Sequence, residues 1–277
     1  MAFQGNLVVR HSLHAQWVSP QFVAGLTAIG PIGALHAAYA LRAASYPTLA
    51  KLFTIVWLAL SIGITLLVTP RNFTAGFLGG LFCLLVGWRI AGLHGATVVT
   101  YPLLAAFAAF ALQFFDTVRN DLWLGPNALL SRVGWQIAFI RTYIGFDLIP
   151  HFTEKLFAGP GPFMDDVKAF AGFGLPFPAA FVILAGLCEL AAAIGIGMGL
   201  LTRLAAACAA LYFLIATLIG GHFGLGFIWA SPGGGWEYPV LMMALFLTFL
   251  FTGGGAFSLD RVLQEKDWVP PALRRFI

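Results

Sequence analysis

Charge is what this sequence has least of: its 15 Lys and Arg and 11 Asp and Glu make up only 9% of 277 residues. A water-soluble domain keeps roughly a quarter of its residues charged to cover its surface. The scarcity excludes a globular protein whose outside faces water. Cysteine is scarce too. Cys83, Cys188 and Cys208 lie inside apolar runs with no CxxC spacing, which excludes a disulfide framework or a zinc site and leaves them as small apolar packing residues. The net charge of +4 comes from basic residues scattered along the connections, so no patch exists to hold a nucleic acid. Dinucleotide, P-loop and nucleophile-elbow motifs are absent. The first 21 residues are too polar for the apolar core of a signal peptide, so insertion is expected to rely on the first membrane helix.

What the sequence has in quantity is apolar runs. A helix needs about 20 mostly apolar residues to cross a hydrocarbon core of about 30 Å. Runs approaching this cover 21–41, 52–68, 73–93, 97–115, 133–157, 178–201, 204–221 and 238–251. The fold class expected is therefore all-α, a polytopic membrane protein of about eight transmembrane helices. Placing both termini in the cytoplasm puts Arg10, Arg71, Arg119, Arg132, Arg203, Arg261, Lys266, Arg274 and Arg275 inside. Arg42, Lys51, Arg89, Lys155 and Lys168 then fall outside, a smaller number. The polar stretch from Asp116 to Arg132 divides the chain into two four-helix halves: residues 1–131, of unassigned role, and residues 132–263. Residues 264–277, with Trp268 and Phe276, read as a tail lying on the inner membrane surface. Gly195 and Gly199 are the clearest small-residue pair for close helix packing.

Ionisable groups inside a span are costly unless paired or wet, so each one carries a functional hypothesis. At a rise of about 1.5 Å per residue, Arg141 and Glu189 fall at roughly 13 Å and 10 Å above the inner surface. Matching depths predict an ion pair between them. Asp147, His151 and Lys155, spaced by four, share one face of the fifth helix near its outer end. His222 closes the seventh span and Glu237 opens the eighth at the same level. The expectation is one outward-facing pocket in which these imidazoles and carboxylates gather under Trp229 and Trp236. His and Asp or Glu near neutral pH suit proton exchange with a bound redox ligand. Ordinary interface polarity would place His, Trp and Tyr there as well. Nothing in the spacing fixes a metal geometry, and His36 and His94 differ too much in depth to share a haem.

From about Arg132 to Leu263 the chain resembles the DoxX/DoxD family of small four-helix bacterial membrane proteins. The likeness rests on the Arg141 helix ending in HFTEKLF, on GLCELAAAIGIGMGLLTRLAA, and on HFGLGFIWASPGGGWEYP with the following span and SLD. The first four spans lie outside it. The resemblance implies an integral subunit of a redox complex in a bacterial or archaeal cytoplasmic membrane. DoxD-like members imply thiosulfate:quinone oxidoreductase chemistry, with quinone as the ligand and partner subunits carrying the electron donor. Arg141, Glu189, His222 and Glu237 are the residues it carries over. The alternative function is a scaffold without catalysis, anchoring a larger complex, and a third is transport of a small molecule past Arg141 and Glu189.

Overall fold

The computed structural model describes residues 29, 32–41, 46–268 and 270–276. Much of the expected first span lies outside these residues, as do Arg10, His11, His14 and Arg42; residues 32–40 are helical. The remainder is built from helices, and the described residues contain no strand. The all-α expectation is borne out. Among the described residues, five helical segments are long and apolar enough to cross a membrane. This is an integral membrane protein in contact with lipid.

Helix α1 (Thr48–Leu67) starts after Pro47, and α2 (Phe73–Leu93) after Asn72, whose side chain accepts from Ala75 N. α2 is the most buried of the long helices and packs along α1. α3 (Thr100–Trp123) runs well past its expected end at residue 115, so the polar divider begins as helix. Asp121 explains the ending. Its buried carboxylate accepts from Leu129 N, Leu130 N and Trp135 Nε1 at 2.8–3.0 Å, folding the loop back onto the next helix.

The fifth span is the largest departure from expectation. It breaks into α4 (Arg132–Phe146) and α5 (Ile149–Leu156), with Asp147 and Leu148 between them. Pro150 is the cause: it has no N–H to give the Phe146 carbonyl, and its ring collides with that carbonyl in a continuous helix. At the start of α5 the missing donor costs little. An unexpected amphipathic helix follows, α6 (Pro160–Gly172), whose Asp165, Asp166 and Lys168 made it read as loop.

α7 (Pro178–Ala192) continues as a π-helical segment over Ala193–Gly199. α8 (Thr202–Ile219) and α9 (Glu237–Thr252) then pack as neighbours, and α10 (Leu259–Glu265) packs on α2 and the π segment. Gly195 and Gly199 do sit at close approaches. A Cβ on Gly195 would collide with Ala205, and one on Gly199 with Ser258 and the Arg141 guanidinium. α4 rests on the π segment and α5 on α7 and α2, while α3 and α4 meet through the side chains of Phe114, Asp121, Trp135 and Phe139, with few close backbone approaches between them.

Candidate functional site

The parting of α3 and α4 leaves a cavity of about 760 Å³. Its walls are aromatic and aliphatic: Phe77, Leu81 and Trp88 from α2, Phe107 and Phe114 from α3, Phe139 and Phe146 from α4. Phe107, Phe115, Phe139 and Tyr143 are also exposed on the outside of the bundle, so the opening faces lipid. The polar lining is sparse and consists of Arg89, Thr142, the Tyr143 hydroxyl and Asp147. Thr142 Oγ1 is buried without a hydrogen-bond partner, and so is Arg89 Nε, although the Arg89 fork holds Glu154 of α5. A polar atom buried without a partner leaves bonding capacity for a ligand.

Asp147 stands where the helix break puts it, at the edge of this cavity. Its Oδ2 accepts from the Tyr238 hydroxyl at 2.5 Å. Tyr238 is the hub of a further chain of contacts. Its ring lies 5.3 Å from Trp229 and 6.5 Å from His151, centroid to centroid, and Trp229 in turn lies 5.4 Å from His222. Trp229 N donates to the Glu237 carboxylate, and His222 Nδ1–H donates to the Gly234 carbonyl at 2.8 Å. Asp147, His151, His222, Glu237 and Trp229 are therefore linked through Tyr238 and Trp229.

They do not enclose one chamber. Only Asp147 lines the cavity; Glu237 and Trp229 are exposed, and Trp236 packs on Phe227 at 4.7 Å and roofs nothing. The cavity lies on the other side of Asp147, and most of its wall comes from helices of the first 131 residues. Tyr238 reads from the sequence as an interface aromatic and not as a site residue. Its place next to Glu237 and before Pro239, at the mouth of a span, was the available signal. Nothing local marked Arg89, Thr142 or Trp88.

The expected Arg141–Glu189 pair does not form. Arg141, wholly buried, donates to the carbonyls of Ile196, Gly197 and Phe257 at 2.5–2.7 Å. Equal depths would bring the two together only if both spans were straight α-helices. The π segment turns the Ile196 and Gly197 carbonyls toward Arg141, and the break at Asp147 swings α5 so that Lys155 reaches Glu189 instead. Glu189, 6% exposed, meets Lys155 Nζ at 3.1 Å and accepts from the Tyr212 hydroxyl at 2.6 Å. Lys155 thus leaves the face shared with Asp147 and joins a separate charged group. Asp166 of α6 adds to it: burial pushes its carboxyl up, opposed by Lys155 and reinforced by Glu154 and Glu189.

The SLD stretch has a structural task. Asp260 accepts from Leu201 N, Thr202 N and Thr202 Oγ1 at 2.6–2.9 Å, capping the start of α8 from another helix. Ser258 caps α10 through Arg261 N. His94 is held by its Nε2–H on the Ala158 carbonyl and stacks on Tyr46. Among the described residues no three His, Cys, Asp or Glu side chains converge as metal ligands.

Comparison with known proteins reaches only part of the chain. Residues 136–222 match the DoxX family model. A protein of Haemophilus influenzae described as uncharacterized is 28% identical over 130 residues, which cover 47% of this chain and 92% of that one. No solved structure matches the chain. The matched segment runs from α4 to the end of α8 and holds Arg141, Asp147, His151, Glu189 and His222, whereas the loop to Glu237 and most of the cavity wall lie outside it. Residues 136–222 are a DoxX region, and through them this membrane protein resembles the DoxX family.

Proposed function

We propose that this chain is the quinone-interacting membrane subunit of a redox complex, akin to the DoxD-type thiosulfate:quinone oxidoreductases that its second half resembles. The observation carrying this reading is a lipid-facing aromatic cavity with a single carboxylate, Asp147, at its edge. Quinone in a membrane arrives from the bilayer, needs apolar walls for ring and tail, and when bound takes up two electrons and two protons. The residues fit that demand. The phenylalanines and Trp88 would flank the ring, Thr142 Oγ1 and the unpartnered N–H of Arg89 would hold its oxygens, and Asp147 would exchange a proton there. Tyr238 orients Asp147 by donating to Oδ2, which leaves Oδ1 for a proton. Among the described residues no motif supplies an electron donor, so electrons come from a partner subunit.

Fluorescence in lipid nanodiscs tests the cavity. Trp88 lies in its wall, so a short-chain ubiquinone or menaquinone analogue is expected to quench emission saturably, and Ala111→Trp, which fills the space, is expected to abolish saturation. Unchanged saturable quenching in Ala111→Trp, with an unaltered melting temperature, would overturn the assignment. A second reading, transport through the bundle, draws on one feature, the interruption of the fifth span at Asp147 and Leu148. Solute flux into proteoliposomes without any redox donor would favour it.

A further inference from the structure

The loop joining α8 to α9 has an unusual surface. Phe223, Leu225, Phe227, Ile228 and Trp229 are all exposed, Ile228 by 58%. From Leu204 to Trp236 the sequence contains no Asp, Glu, Lys or Arg. The exposed apolar face of α8, Leu211, Leu214, Ile215, Leu218 and Ile219, runs directly into it. Three observations indicate what covers this surface.

The first is length. α8 has 18 residues and α9 has 16. At about 1.5 Å per residue these span roughly 27 Å and 24 Å, short of a hydrocarbon core of about 30 Å. Arg203 anchors the far end of α8, and Arg261 and Asp260 follow the far end of α9. The shortfall therefore falls at the loop. The second is that much of the loop backbone pairs within the loop, while the N–H groups of Gly226, Phe227, Ile228, Ala230 and Gly233 do not, a mixture that suits the hydrated headgroup boundary and not the acyl core. The N–H groups of Gly224, Ser231, Gly234, Gly235, Trp236 and Glu237 all bond to carbonyls within the loop. The third is the handling of polar side chains. His222 spends its Nδ1–H on the Gly234 carbonyl, and the Glu237 carboxylate takes the Trp229 N–H.

We infer that residues 222–236 form a lipid-seated wedge, lodged at the boundary between headgroups and acyl chains, with Ile228 and Phe227 pointing into the lipid. Irregular backbone is not tolerated at the bilayer centre, which limits the wedge to this boundary. Tryptophans suit that depth. The wedge stands independently of quinone binding.

The test uses the full chain with its three cysteines changed to alanine and one environment-sensitive fluorophore on Ile228→Cys, reconstituted in phosphatidylcholine vesicles. The fluorophore is expected to emit to the blue and to be quenched severalfold more by lipids nitroxide-labelled near the headgroup than by aqueous iodide. The same fluorophore on free cysteine in the same buffer is expected to show the reverse order. Iodide quenching at Ile228 equal to that of the free conjugate would overturn the inference by placing the loop in water. Protection from both iodide and lipid would overturn it as well, by placing the loop against protein. Labelling Phe223→Cys repeats the measurement should the Ile228 variant fail to fold.

Discussion

Replacing Arg141 with methionine removes a cation that no solvent reaches, and the structure sets the cost. Three backbone carbonyls, those of Ile196, Gly197 and Phe257, lose their donor together. A buried acceptor left unpaired costs about 1–3 kcal/mol, while polar bonds measured within membrane bundles average nearer 0.6 kcal/mol. Methionine fills much of the volume and frees the protein from burying a guanidinium, which offsets part of the loss. Across three acceptors these bounds centre on about 3 kcal/mol. For a chain of this size, about 2–4 °C of melting temperature corresponds to each kcal/mol. The expected fall in detergent is therefore roughly 6–12 °C. Arg141→Lys is expected to recover only part of it, because one ammonium cannot reproduce a planar fork reaching carbonyls on two segments. A shift for Arg141→Met below about 2 °C by scanning fluorimetry would refute the reasoning, since it would mean that the three carbonyls are not held by Arg141.

Two further outcomes follow from the packing. Gly145→Ala drives a methyl into the backbone of Gly197, where no flexible side chain can yield; a loss of about 1–3 kcal/mol is expected from overpacking, and a melting temperature equal to wild type would count against the close α4–π contact. Lys155→Met and Glu189→Gln each leave one member of a buried pair alone, so each single change is expected to destabilise more than half as much as the double. Strict additivity of the two in a double-mutant cycle would show that Lys155 and Glu189 do not interact.

The division between what was legible and what was not follows particular residues. Low charge and repeated apolar runs determined by themselves that the chain is helical and lies in a membrane, because helix hydrogen bonds close within four residues and lipid selects composition without regard to partners. In the structure the side chains of Asn72 and Ser131 cap two of the helix starts and Pro178 opens a third. A shared level for Asp147, His151, His222 and Glu237 can be read along the spans, but the single chamber expected of them does not form, because Asp147 alone reaches the cavity. Tertiary structure alone decided the partners of Arg141 and Glu189, because a π turn and a proline break altered where each span points by amounts that residue counting cannot register. The cavity was equally beyond reach. It exists because α3 and α4 diverge, and the distance between two helices is set by every side chain between them, not by either sequence alone.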